Sequence, residues 1–470
     1  MTQQASREPR NPRSTRPGGR VPGSGWWARM LDSVESRLWP LPLAVIVISV
    51  ALGIVLPRVD VIVDASLPDA VDSAVFNGGA DTARSVLSSI AGSLITATSL
   101  TFSLTVIALQ LASTQASPRV LRLFARDRQV QWTLAAFLGT FAYSITVLRS
   151  VRSPLDDMPE FVPRISVTVA FLLTIVSVIT LIFFLAHLAT QLRVETMLKE
   201  IHADTEKAIR RVSERNAAVA AYEGHATPPG NAAAVAASDS GFITGSDLPA
   251  LAQVAEDHGI VIEEMRKVGD NIVAGAVLAR WWPSLEKAGS SDDAEIAHAI
   301  RGVHAIRFER TTVEDIDYGT RQIVDIALRA LSPGVNDPTT AVHAIGHLSA
   351  LLIQIVAIPQ PPAMVAGPTG QLRVITHRGN AVDRIEAAVE PVRHYGAHDP
   401  AVVARLLQLV DELSTSTADR DVLRALGTQL DALAEQLRSD RADPATSATL
   451  LELTDAARRR LENGQVTGDR

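Results

Sequence analysis

The sequence predicts an α-helical membrane domain of four transmembrane helices, both ends on the inner side, followed by an α+β cytoplasmic domain. Three observations carry this. Nearly all long apolar runs lie between Leu38 and Ala189, although the 470-residue chain as a whole is only 47% hydrophobic and 20% charged. After Gln191 the composition becomes that of a soluble protein, rich in Ala, Arg, Asp and Glu. Basic residues gather in alternate connections between the apolar runs, as the positive-inside rule requires.

Residues 1–30 are rich in Arg, Pro, Gly and Ser, lack any hydrophobic period and are expected to form a disordered tail. No small-residue cleavage pattern follows the first apolar run, so this is no signal peptide. Trp26 and Trp27 are expected at the headgroup level. The transmembrane domain spans 31–190. Its helices are expected at about Leu38–Leu56, Ser85–Ala112, Trp132–Leu148 and Val162–Leu188, set against the roughly 17–25 residues that cross a bilayer. Arg7, Arg10, Arg13, Arg16, Arg20, Arg29 and Arg37 precede the first. Arg119, Arg122, Arg126 and Arg128 follow the second, and Arg193, Lys199, Lys207, Arg210 and Arg211 follow the fourth. All three groups are expected in the cytoplasm. Asp60, Asp64, Asp69, Asp72 and Asp81 fall between the first two spans and suit the outside.

The second span has an unusual face. Ser85, Ser89, Gly92, Thr96, Ser99, Ser103 and Gln110 recur at intervals of three, four and finally seven, so they share one side of the helix. Two readings stand. Small residues allow close helix packing, with hydroxyls bonded to carbonyls one turn back. Alternatively the stripe lines a hydrated path at the axis of a homo-oligomer. Outside His187, the expected span interiors hold no Asp, Glu, Lys or His, which favours a channel over a proton-coupled carrier. Gly139, Thr140, Tyr143, Ser144 and Thr146 of the third span are candidates to pack against the stripe. The fourth span should face lipid and run on past Gln191 as a helical stalk, 191–221. A flexible linker is expected at 222–237, with His225, Pro228, Pro229 and Gly230.

Residues 238–288 alternate short β-rich runs with a helix at Leu248–His258. Gly269-Asp270-Asn271-Ile272-Val273-Ala274-Gly275-Ala276-Val277-Leu278 resembles the turn-and-strand unit of biotinyl/lipoyl-type barrels. The lysine hairpin those carriers modify is absent, so the expectation is a structural or ligand-binding half-barrel with no cofactor. Residues 289–465 should be mainly helical. Asp292 and Asp293 suit one helix start, and Thr311 or Thr312 the cap of the next. Ser332-Pro333-Gly334-Val335-Asn336-Asp337-Pro338 is a break, with Pro338 in the following first turn. From Asn380 the apolar spacing gives three or four more helices, broken near Pro400, Thr415 and Asp443.

Arg310, Asp315, Asp325, Asn336 and Asp337 are candidates for a polar network around that break, as turn caps or as a pocket for an anion or nucleotide. His343 and His347 have the i, i+4 spacing of zinc ligands, but spacing supplies no third ligand. With no cysteine in the chain, ordinary histidines are expected. No GxSxG elbow, P-loop or HExxH occurs, so no enzymatic activity is expected. The acidic balance, net −7, gives no reason to expect nucleic acid.

Four segments are similar to a known family: Gly78–Arg84, Leu109–Leu121, Glu309-Arg310-Thr311 with Asp315 and Tyr318-Gly319, and above all Val324–Pro338. Over residues 31–465 the chain resembles the DUF2254 family of bacterial predicted membrane proteins. The resemblance implies the membrane-plus-soluble layout and supplies no activity. His343 and His347 depart from the family pattern. The expected function is an oligomeric channel lined by the second span and regulated by the cytoplasmic domain. The competing expectation is a membrane-anchored sensor or scaffold whose soluble domain binds a small ligand or a partner protein.

Overall fold

Apolar runs with no charge in their middles form the first helices. They are α1 (Pro40–Val63), α2 (Ala80–Gln115), α3 (Arg128–Leu148) and α4 (Arg164–Gln191). The structure is a computed structural model and describes residues 39–63, 75–115, 127–153, 160–191, 193–284, 292–439 and 444–467. The tail at 1–30, Trp26, Trp27, Asp64, Asp69, Asp72, Arg119, Arg122 and Arg126 lie outside the described residues. The chain divides into two compact units, residues 1–105 with 122–185, and residues 106–121 with 186–470.

In the first unit α1 and α3 pack closely because glycine faces them. A Cβ at Gly53 would lie 2.8 Å from the Thr146 Cβ, and one at Gly139 would lie 2.7 Å from a Val45 methyl. Thr140 meets Ser177 of α4 at 3.1 Å, and the Tyr143 hydroxyl donates to the Ser166 carbonyl. The third helix therefore spends its small and polar residues on α1 and α4. It does not spend them on the stripe of α2.

Helix α1 runs seven residues beyond the expected end at Leu56, through Pro57. This brings Asp60 into the helix. Its carboxylate is buried and accepts from the Ile165 and Ser166 amides and the Ser166 hydroxyl at 2.8, 3.0 and 2.5 Å. The expectation of a loop acid fails here because a carboxylate is well placed at the N-terminus of another helix, whose first amides lack intrahelical acceptors.

The second unit begins its own helix, α5 (Val194–Ala217), after an extended Arg193. The expected continuous stalk is thus interrupted. Met197, Leu198, Ile201, Thr205 and Ile209 of α5 are buried, against α8 (Ile316–Ala330) and α9 (Pro338–Ala357). Gly319 of α8 sits so close to Thr205 that a Cβ would fall 2.0 Å from its hydroxyl. α5 is a core helix of this unit, not a free stalk.

The remaining elements are β1 (Ala220–Ala221), β2 (Ala233–Ala236), β3 (Gly241–Ser246), α6 (Leu248–His258), β4 (Ile260–Glu264), β5 (Asn271–Ile272), β6 (Val277–Pro283), α7 (Asp293–Val303) and β7 (His304–Arg307). After α8 and α9 come β8 (Met364–Ala366), β9 (Leu372–Ile375), α10 (Ala381–Gly396), α11 (Pro400–Ser416), α12 (Arg420–Ser439) and α13 (Pro444–Thr467). A six-stranded sheet has the order β1-β8-β9-β4-β6-β2, and a three-stranded sheet the order β5-β3-β7. Only the β4–β9 pair is parallel among those described. The larger sheet covers α6 and α7 through Leu248, Leu251, Ile296, Ile300, Ile262 and Val374.

Residues 222–237 are therefore no free linker, since β2 forms one edge of the larger sheet. Nor do residues 238–288 close on themselves. Their strands are divided between the two sheets and pair with β7 and β9 from outside the segment. The expected turn glycines are present, Gly269 at φ 95° and Gly275 at φ 86°, a region costly for any side chain with a Cβ.

Among the described residues, five helices are long and apolar enough to cross a membrane: α1 to α4 and α9. The last has another use for its apolar surface. Ala341, Ile345, Leu348, Leu352 and Ile355 are buried, and α9 packs on α5, α8 and α11.

Candidate functional site

The buried side of α2 is carried by Ala83, Leu87, Ile90, Leu94 and Thr101. Ser85, Ser89, Gly92, Thr96 and Ser103 stand two positions further on in each case, about 200° around the helix. They are exposed, and so are Ser99 and Gln110. The stripe thus lies opposite the face that packs inside the chain. Its hydroxyls are partly satisfied locally, since Thr96 donates to the Gly92 carbonyl and Ser103 to the Ser99 carbonyl, both at 3.0 Å. A Cβ at Gly92 would meet nothing within 4 Å, so among the described residues no neighbour requires this glycine. Exposed Ile95, Leu100 and Phe102 flank the stripe.

The five residues proposed as one polar network are not brought together. Asp315 caps α8 through the Tyr318 amide at 2.9 Å, and Arg310 holds it at 2.6 and 3.1 Å. Asp325 pairs instead with Arg321 one turn away at 2.9 Å. Asp337 caps α9 through the Thr340 amide and hydroxyl, and Asn336 takes a left-handed φ of 49° in the turn before it. Helix α8 separates the two caps. Asp315, not Thr311 or Thr312, is its N-cap. His347 stacks edge-on against His202 with ring centroids 5.0 Å apart. Burial, then the charges of His202 and His343, lower its pKa.

The Arg310–Asp315 pair is nonetheless part of something larger. Gly269 lies against it, and a Cβ there would fall 2.5 Å from an Arg310 nitrogen and 2.9 Å from an Asp315 oxygen. Beside this contact opens a cleft lined by Lys267, Asp315, Asp317, Arg378, Gly379 and Arg384, among others. Burial raises the Asp315 pKa further than Arg310 lowers it. At the rim Arg215 clasps Glu314 at 2.6 and 2.5 Å.

Behind the cleft Arg378 donates to both oxygens of buried Glu264, at 2.9 and 3.0 Å, and the Ser246 hydroxyl donates at 2.5 Å. Burial alone would raise the Glu264 pKa. The Arg378 charge, the His304 ring and the hydrogen bonds from Arg378 and Ser246 outweigh it and hold the carboxyl at about 2. The His304 Nε2 stands 3.4 Å from Glu264, too long for a strong bond. Sequence reasoning missed Lys267, Glu264, Arg378 and Arg384. The run Arg378-Gly379-Asn380, placed between a strand and a helix cap, was the signal available.

A family model described as "Predicted membrane protein (DUF2254)" matches residues 35–412. An uncharacterized protein of Mycobacterium bovis is 32% identical over 423 residues, which cover 90% of this chain and 80% of the relative. An uncharacterized protein of Mycobacterium tuberculosis strain H37Rv matches to the same extent. No solved structure matches.

Proposed function

Since the chain belongs to the DUF2254 family of predicted membrane proteins, we propose that it is a four-span protein of the cell membrane that self-associates through the polar face of α2 and forms a permeation path there, regulated by its C-terminal α+β unit. One observation carries the reading: the Ser/Gly/Thr stripe lies directly opposite the buried face of its helix. Lipid offers nothing to such a face. A second copy offers close backbone approach, and an enclosed water column offers hydrogen-bond partners. The spans are α1 to α4, because α9 already buries its apolar side in the second unit. The arginines before α1, after α2 and after α4 support cytoplasmic termini in this reading. Asp60 does not argue for a carrier, since its carboxylate is committed to the start of α4.

The chain has no cysteine, which makes the test direct. Single substitutions Ser89→Cys, Thr96→Cys and Ser103→Cys are oxidised in native membranes, beside Ile95→Cys and Phe102→Cys. Stripe positions should give disulfide dimers, and the flanking apolar positions should not. Reconstituted protein should then conduct ions in planar bilayers. Absence of stripe-specific dimers removes the assembly face. Dimers without conductance leave the assembly and remove the pathway. The second reading, a membrane-anchored sensor, is favoured by the charged cleft of the second unit and is tested by ligand-dependent melting.

A further inference from the structure

The cleft beside Gly269 holds two cationic groups in unlike states from the rest of its charges. Glu314 is matched by Arg215, Asp315 by Arg310, and Glu264 by Arg378. Arg384 gives its Nε to Asp317 at 2.7 Å, yet its Nη1 is buried and has no acceptor. The side chain is only 10% exposed. A guanidinium N–H sealed from water without a partner is costly, and such orphans mark places where a further acceptor belongs. Lys267 stands close by. Its ammonium makes no ion pair among the described residues, and it lies 3.3 Å from where a Cβ of Gly379 would be.

The backbone adds to these two cations. The cleft is lined by the first residues of α8, Ile316 and Asp317, and by Arg378 and Gly379 just before α10. Two helix N-termini therefore border one cavity, and each contributes partial positive charge. The caps there, Asp315 on α8 and the capping box of Asn380 with Asp383 on α10, use only part of those amides. Two carboxylates stand near the same space and are already engaged, Asp317 by the Arg384 Nε and Asp383 by the Asn380 amide. The space open to the centre of a water-sized sphere is about 50 Å³. At roughly 10–15 Å³ per water, that admits a few waters or one tetrahedral oxyanion.

From this geometry we infer that the cleft is a binding site for a phosphate group, held by Lys267 and Arg384 between the N-termini of α8 and α10. On binding, Arg384 would keep its bond to Asp317 through Nε and rotate so that its buried Nη1 reaches the anion. Lys267 supplies the second charge. The phosphate is either free inorganic phosphate or the phosphomonoester headgroup of a lipid such as phosphatidic acid, and both can present three terminal oxygens. The site is independent of the permeation path, because its occupancy is read without any conductance.

The test uses the full chain in phospholipid-free detergent micelles. Inorganic phosphate is titrated against chloride at equal ionic strength while thermal unfolding is followed. In a second arm short-chain phosphatidic acid replaces phosphate. Phosphate at about ten times its dissociation constant should raise the melting temperature by roughly 2–4 °C. Lys267→Met, which breaks no ion pair, should weaken binding about tenfold or more. Gly379→Ala, which places a methyl beside the Lys267 ammonium, should weaken it as well. A response to phosphatidic acid alone, lost in Lys267→Met, assigns the site to a lipid headgroup. No shift with either probe, or equal shifts in wild type and Lys267→Met, overturns the inference.

Discussion

Replacing Asp60 by alanine tests how the first unit is held together. Its carboxylate accepts three hydrogen bonds at the start of α4, from two backbone amides and one hydroxyl. Asp60 is 1% exposed, so in Asp60→Ala no bulk water replaces it. Loss of a capping side chain costs about 0.5–2 kcal/mol. Each buried donor left without an acceptor costs about 1–3 kcal/mol. The Ser166 hydroxyl can turn to another acceptor, which leaves the two amides as the main loss. The two amides, whose loss is also the loss of the cap, give about 2–6 kcal/mol. Equilibrium unfolding in mixed micelles measures it, with Asp60→Asn as the companion. Asn keeps one acceptor oxygen and should lose less than Ala. If Asp60→Ala unfolds within about 0.5 kcal/mol of wild type, the carboxylate is not the tie between α1 and α4, and the reasoning fails.

Two further predictions concern packing and pH. Gly53→Val drives a branched side chain into Thr146 of α3 and should cost about 1–3 kcal/mol as overpacking, read as a fall in melting temperature. Gly92→Val, with open space around it, is the control and should leave the melting of the monomer close to wild type. Glu264 has a folded pKa of about 2, below the ordinary carboxylate value. The stability it contributes is therefore fully present above about pH 4.5 and is lost as pH falls from there toward 2. Glu264→Gln should lower stability at pH 7 and flatten the acid limb between pH 4.5 and 2. A variant whose acid limb stays superimposable on wild type refutes the assignment.

The features legible in the sequence were those written in local period. The apolar runs gave α1 to α4 with ends off by up to seven residues, and the spacing from Asn380 onward gave α10 to α13. The stripe of α2 was legible as a face because seven positions repeat it. Which way it faced was not, since that depends on Ala83, Leu87 and Ile90 packing elsewhere. Asp60 was read as a loop acid because the first span was ended at Leu56, whereas the helix continues through Pro57. The Ala-rich run at β2 carries no alternation, and only its pairing with β6 makes it a strand. The cleft was illegible for the same reason. Lys267, Asp315 and Arg384 come from three distant segments, and no spacing rule connects them. Asp315 and Gly269 were each singled out, one as a possible cap and one as a turn glycine. Their contact explains both.

The three-four alternation along the outer face of α2 also fixes a handedness. A seam repeating every seven residues drifts about 20° per repeat on a straight helix. Helices that keep such seams in register coil leftward, crossing at about +20° with a pitch near 150 Å. Helix α2 has 36 residues, which is about 54 Å of length and close to a third of one superhelical turn. A helix of that length leaning at that angle reaches about 20 Å beyond a hydrocarbon layer of ~30 Å. A ring of α2 helices would therefore be a left-handed barrel whose twist continues outside the bilayer, where the end bearing Gln110 forms a polar collar.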